Sequence, residues 1–477
     1  MGKRIIVTTL LITSFIVVGC KPTEKEIDPK SFNTIKERLE AIKSIENVKS
    51  LGNSKSFKNI YRFSFKQYID HNNKELGTFD QHVEFGFNGF DVPNVYVTSG
   101  YMISENNSYY STNENEIAFL LNCNYVFVEH RYFDDSLPNA INYDDNTSWK
   151  YLSTEQAAHD AHEIVTQLKR ALDGKWVSTG ISKGGMTTEL YAYYHPGDMD
   201  LYVPYVAPFC NSFSDKRMIQ FLNEEVGNIQ YGEEKAKEMR DNILAFQVKM
   251  IQYRDTFASR FYEEGLAANA KYSSYATQDN LYESAVLEFG IGFWQYYQSY
   301  STVKSCLNMK ENTSANIAKK KEAFYSCFTN IISPSDLGID NDFTPYYIQA
   351  YQELGNYGYD FSYLRNALPE GTTLTVTEQE ESDLMWKLVL SENELALGHK
   401  ELIGPKINNM LATTNDQFII LYGNSDPWYA VRPTDVNREN VSIYVNPHYP
   451  HTTNIQNYDE NVKNEILQKI KTALGVE

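Results

Sequence analysis

Cysteine is scarce: there are five in 477 residues, with no Cys-x-x-Cys and no Cys/His cluster. That removes any sequence pattern for a zinc site, so neither a metal nor another cofactor is expected. Basic residues are short as well. Lysine and arginine number 43 against 62 aspartates and glutamates, a net charge of −19, which makes nucleic acid an unfavourable partner. No apolar run is long enough for a transmembrane helix, and no internal repeat is visible.

Residues 5–18 follow Lys3-Arg4 and are too short to span a bilayer, the pattern of a secretory signal peptide. They end in Val17-Val18-Gly19-Cys20, which resembles the lipobox of bacterial lipoproteins, whose cysteine takes lipid and becomes the mature N-terminus. The expectation is a signal over 1–19 and a lipidated tether leading into the folded body over 20–45. Such a chain is held to the cell envelope by lipid on Cys20. Lys21 rather than aspartate after the cysteine favours the outer membrane, on its periplasmic or surface face. Cys123, Cys210, Cys306 and Cys327 would then lie in an oxidising compartment, and Cys306–Cys327 is the expected disulfide.

What is present centres on residues 175–188, KWVSTGISKGGMTT. A short β-rich run meets Gly180-Ile181-Ser182-Lys183-Gly184 and then a helix-compatible stretch, the pattern of a nucleophile elbow. Such a turn strains its central serine, so glycines two residues away on either side avoid collision. A helix starting beside Ser182 directs its positive end at any anion formed there. The amide of Lys183 and a second amide from Gly100 or Tyr101 are the expected oxyanion donors. The Lys183 side chain is an alternative base, less suited than an imidazole.

Strand-like runs at 60–69 and 79–87 flank a turn at His71-Asn72-Asn73 and make a hairpin. Further strands fall at 95–98, 125–129, 176–179 and 201–207, with helices between them at 114–122 and 153–171, which is the parallel α/β signature. From residue 215 the chain turns helical and tyrosine-rich. The aromatic stripe of Phe293, Trp294, Tyr296 and Tyr297 suits the core of a cap more than a pocket. Strands resume at 417–422 and 442–445 before a last helix at 458–474. The predicted architecture is therefore an α/β-hydrolase sheet built from 46–214 and 396–477, with an inserted, mostly helical cap over 215–395.

The strand at 418–422 ends in Gly423-Asn424-Ser425-Asp426-Pro427-Trp428, placing Asp426 at the same sheet edge as Ser182. After the next strand, Asn446-Pro447-His448-Tyr449-Pro450-His451 offers His451 or His448 as a base. A serine hydroxyl needs a neighbouring imidazole to take its proton, and a buried carboxylate to stabilise the imidazolium. Ser182, Asp426 and a histidine follow in the chain order this fold uses.

Residues 179–186 with Val128-Glu129-His130-Arg131-Tyr132, residues 151–157 and Asp426-Pro427-Trp428 together resemble the bacterial secreted tripeptidyl aminopeptidase family of serine peptidases. More distantly the chain is similar to prolyl carboxypeptidase and dipeptidyl peptidase II. The resemblance covers roughly 79–455 and leaves out the cap. It implies Ser182 as nucleophile, Asp426 as acid and His451 as base, although Tyr449-Pro450 stand where the family tends to have small residues. It also implies an oligopeptide substrate, cut to tripeptides from a free N-terminus. A carboxylate should then hold the substrate ammonium, and Glu129 is a candidate by its place at the active edge. The competing role for Glu129 is a structural partner of Arg131. An esterase or lipase on the same triad, and an inactive binding lipoprotein, are the alternative functions.

Overall fold

The computed structural model describes residues 27–103, 115–142, 145–296, 300–339 and 342–477. Cys20, the signal segment and Tyr297 lie outside the described residues.

Nine strands form one sheet: β1 (Ile45–Gly52), β2 (Asn59–Tyr68), β3 (Thr78–Phe87), β4 (Asn94–Thr98), β5 (Asn124–Val128), β6 (Trp176–Ile181), β7 (Leu201–Tyr205), β10 (Phe418–Gly423) and β11 (Val441–Asn446). Two-residue strands β8 (Ser214–Asp215) and β9 (Asn356–Tyr357) pair separately in parallel. The large sheet runs β1-β2-β3-β5-β4-β6-β7-β10-β11. Pairing is antiparallel from β1 through β3 to β5 and parallel from there on. From β2 onward this is the α/β-hydrolase order, with β4 and β5 exchanged in space and β1 added at the edge.

The burial of each strand explains its place. Every residue of β4, β5, β7 and β10 is buried, as expected of parallel strands covered on both faces, whereas β2 alternates buried and half-buried residues. The strand β1 was not foreseen. Only its first residue, Ile45, is buried, and the pairing slips twice along it, so the sequence carries no alternation to read.

Between β7 and β10 the chain is helical, with its longest helices at Glu233–Gln252, Gln278–Gln295 and Ser314–Thr329. Phe246 stacks on Phe289 at 4.5 Å and on Phe324 at 4.6 Å, giving this insertion an aromatic core. Phe293 and Trp294 join that core at 2% exposure, but Tyr296 stands outside it at 55%. No helix among the described residues is long and apolar enough to cross a membrane.

Cys306 and Cys327, the expected disulfide pair, both stand as free thiols in this structure. They stand as neighbours on the helices Tyr300–Asn308 and Ser314–Thr329, and Cys306 Sγ donates to Ala323 O at 3.5 Å. The neighbouring Cys306 and burial together push the Cys327 thiol up.

Candidate active site

Ser182 closes β6 and opens the helix Lys183–Tyr194 with φ 56° and ψ −119°, a strained conformation for a residue with a Cβ. The surroundings impose it. Ser182 N donates to Tyr205 O at 2.9 Å and Met186 N donates to Ser182 O at 2.9 Å, so the turn is held from both sides. A Cβ on Gly180 would sit 2.4 Å from the Gly184 backbone, and one on Gly184 would sit 2.4 Å from Thr98 O, so both positions exclude a side chain. Although Ser182 occupies the helix N-cap, its hydroxyl does not cap the helix and makes no hydrogen bond among the described residues. It is left available for chemistry.

The Lys183 N–H, first of that helix, has no carbonyl one turn back to receive it, and it points with the positive end of the helix dipole. The Lys183 side chain goes elsewhere. It is buried, its Nζ donates to Gly100 O at 2.6 Å, and it lies over the rings of Phe133 and Tyr101 at 5.4 and 5.5 Å. Burial holds this amine well below the usual lysine range. Its contact pins the turn after β4 against the elbow. The Tyr101 N–H, expected as an oxyanion donor, is corrected on one point: it already donates to Ser99 Oγ at 3.2 Å.

Two strands over from β6, β10 delivers Asp426. The carboxylate is fully buried, with Oδ1 accepting from Trp428 N at 3.0 Å and Oδ2 lying 2.7 Å from His451 Nδ1. The turn preceding Pro427 and the contact to histidine are therefore made by different oxygens of one side chain. With Nδ1 committed to Asp426, the proton-accepting nitrogen of His451 is Nε2. The neighbouring His448 is exposed, and its backbone N–H donates to Asn446 Oδ1 at 3.0 Å.

The insertion contributes to this edge in a way no motif announced. Gln295 O accepts from His451 N at 3.3 Å, and the Tyr296 ring meets the His451 ring edge-on at 6.4 Å. Gln230 Oε1 accepts from Ser425 Oγ at 2.7 Å while its Nε2 donates to His448 O at 3.1 Å. Beside the elbow a cavity of about 330 Å³ is lined by Ser99, Tyr101, Gly180, Ile181, Phe343 and Asn454, among others.

Glu129, the candidate for the substrate ammonium, is held by the loops around it. Its side chain is fully buried, with Oε2 accepting from Ile103 N at 2.9 Å and Oε1 from Ser136 Oγ at 2.7 Å, so both oxygens are tied to the surrounding loops. Burial raises this carboxyl to about 7. Arg131 is not its partner: that guanidinium grips both oxygens of Asp160 at 2.6 Å, in a fully buried pair. The polar cluster after β5 thus supports the loops rather than the reaction.

The PS-10 peptidase S37 family model matches residues 27–476. A prolyl tri/tetrapeptidyl aminopeptidase of Streptomyces mobaraensis is 31% identical over 301 residues, covering 62% of this chain and 57% of that protein. A lysosomal Pro-X carboxypeptidase of Mus musculus is 22% identical, covering 48% and 56%. These matches thus span little more than half the length of either relative. The Homo sapiens lysosomal Pro-X carboxypeptidase is 21% identical over 411 residues, 72% of this chain and 77% of that one. Among solved structures, a proline iminopeptidase of Mycobacterium smegmatis aligns at 10% identity and a TM-score of 0.37, covering 86% of this chain and 98% of its own.

Proposed function

The chain belongs to the PS-10 peptidase S37 family, and from that premise we propose that it is a serine exopeptidase releasing short peptides, tripeptides foremost, from the free N-termini of oligopeptides. The observation that carries this reading is the 2.7 Å contact of a fully buried Asp426 with His451 Nδ1, at the sheet edge where Ser182 sits strained and uncommitted. Ser182 Oγ attacks the scissile carbonyl as His451 Nε2 takes its proton, and Asp426 stabilises the imidazolium. The Lys183 N–H receives the oxyanion, with the turn at Gly100 and Tyr101 as the nearest source of a second donor. Collapse passes the proton to the leaving amine and leaves the N-terminal peptide as an acyl-enzyme, which water then hydrolyses.

The test is mass spectrometry of a mixed peptide library incubated with the protein, beside Ser182→Ala and N-acetylated copies of each peptide. Tripeptides from free N-termini alone, absent with the alanine variant, are expected. Hydrolysis of simple esters without any peptide cleavage would replace this reading with an esterase, and failure of a fluorophosphonate to label Ser182 would leave an inert binding scaffold.

The same proposal has the protein working from the cell envelope, anchored by lipid on Cys20 and facing its substrate from the outer membrane. Support comes from Lys3-Arg4, the apolar run 5–18 and Val17-Val18-Gly19-Cys20. Cys20→Ser should move the protein from the membrane to the soluble fraction and abolish incorporation of labelled palmitate; unchanged fractionation would remove the anchor from the account.

A further inference from the structure

Four of the nine histidines gather behind the elbow helix, at the end far from Ser182. His159 and His162 stand one turn apart on the helix Thr154–Leu168, and His195 and Asp198 follow the end of Lys183–Tyr194. The rings of His162 and His195 stack in parallel, 4.0 Å apart at 5°. His159 Nδ1 lies 2.7 Å from His195 Nε2, and His162 Nδ1 lies 2.5 Å from Asp198 Oδ2. Ligand atoms of His162, His195 and Asp198 all fall within 4.8 Å of one another, and all three residues are partly open to solvent. We infer that His162, His195 and Asp198 form a binding site for a divalent transition-metal ion of the zinc, cobalt or nickel class, with solvent completing the shell.

The donor set selects that class. Imidazoles with a single carboxylate suit borderline transition metals, whereas calcium and magnesium require oxygen-rich shells. Outer contacts that orient ligands are present too. Tyr191 Oη donates to Asp198 Oδ2 at 3.0 Å, and His159 Nδ1 lies 2.7 Å from His195 Nε2. Lys169 Nζ sits on the carbonyl of Asp198, leaving the carboxylate to the cluster.

An ion here would tie two helices that otherwise meet through packing and hydrogen bonds, fixing the far end of the elbow helix. That helix has 12 residues, so at about 1.5 Å each the site lies roughly 18 Å from Ser182 and takes no part in acyl transfer. No motif announces it, because one helix supplies a single histidine and the other stretch an i, i+3 pair, too common to read.

The test uses the full chain dialysed against EDTA, then titrated with cobalt(II) chloride by visible absorption and with zinc chloride by calorimetry. One equivalent at low micromolar affinity is expected, with tetrahedral cobalt d–d bands and a thermal midpoint several degrees higher. His162→Gln and Asp198→Asn should each weaken binding by about tenfold or more, as losses at metal sites commonly do. His162 is 38% exposed, so its replacement should leave the fold intact if His195→Ala does not. Ser182→Ala should bind as the wild type does, which separates this inference from the peptidase reading. Absence of a saturable equivalent, or binding indifferent to His162→Gln and Asp198→Asn, would overturn it.

Discussion

Gln230 Oε1 accepts a 2.7 Å hydrogen bond from Ser425 Oγ, so a side chain of the inserted helices holds the residue immediately before Asp426. Its amide nitrogen reaches His448 O at 3.1 Å, three residues before His451. One glutamine thereby ties together the loops that carry the acid and the base. Gln230→Leu removes both bonds and strands a fully buried Ser425 hydroxyl, at a cost of about 1–3 kcal/mol. The expected result is a kcat lower by about tenfold or more with KM within a few-fold, the energy being lost from the positioning of the base. An unchanged kcat beside a raised KM would instead make Gln230 a substrate contact.

Asp426→Asn tests the tautomer argument. Oδ2 accepts the Nδ1 proton of His451, and an amide turned to present its NH2 group there would reverse that bond and direct the wrong nitrogen at Ser182. Loss of kcat on the order of 10⁴-fold is expected, the fall such a change produces in serine proteases, with folding intact because Trp428 N still finds an amide oxygen. Fluorophosphonate labelling of Ser182 should slow in parallel. Full-rate labelling would show that His451 is activated by some other group.

Much of this was legible because parallel strands are short, apolar and punctuated. Each interior strand from β4 to β7 could be read as a buried run, and the serine, acid and histidine appear in the order the fold demands. The glycines around Ser182 were legible for the same reason: close backbone approach leaves a mark in sequence. The contacts of Glu129, Gln230 and Gln295 left none. Glu129 looked functional from its place at the sheet edge, but whether a buried carboxylate faces a pocket or an Ile103 N–H depends on a loop whose path no periodicity predicts. Gln230 and Gln295 lie in the insertion, where helical spacing reports an apolar face and is silent on which polar residue meets a distant loop.

Two carboxyls give stability a pH dependence of defined sign. Burial holds both Glu129 and Glu288 at about 7, and Glu288 accepts from Tyr357 Oη and Tyr359 Oη. In an unfolded chain such groups titrate near ~4.3, so between the two values the native state binds more protons than the unfolded one. Their contribution is fully present below about pH 4 and is lost as pH rises through 7, on the order of 3 kcal/mol each. Thermal midpoints measured from pH 5 to pH 8 should therefore fall, other groups being equal. The slope should flatten in Glu129→Gln/Glu288→Gln, since glutamine keeps an acceptor for the tyrosine hydroxyls; an equal slope in that variant would assign the effect to other groups.

Cys306 and Cys327 supply the last test. The two thiols meet across a helical hairpin and need only lose two hydrogens to an oxidant to become a disulfide, so diamide treatment of the folded protein should join them with a mass loss of two hydrogens. Closing a loop of roughly twenty residues is worth about 3 kcal/mol in the chain-entropy account. The oxidised protein should accordingly melt several degrees higher, and Cys306→Ser should abolish both the mass change and the gain. Because the hairpin lies in the aromatic core of the insertion and Gln295 reaches His451 from a neighbouring helix, oxidation should also slow thermal loss of activity. A disulfide that forms without raising the midpoint would mean that native strain offsets the entropy gained. A pair that resists diamide under native conditions but oxidises once unfolded would mean that burial shields the thiols from reagent, and the protein would then carry them reduced even in an oxidising compartment.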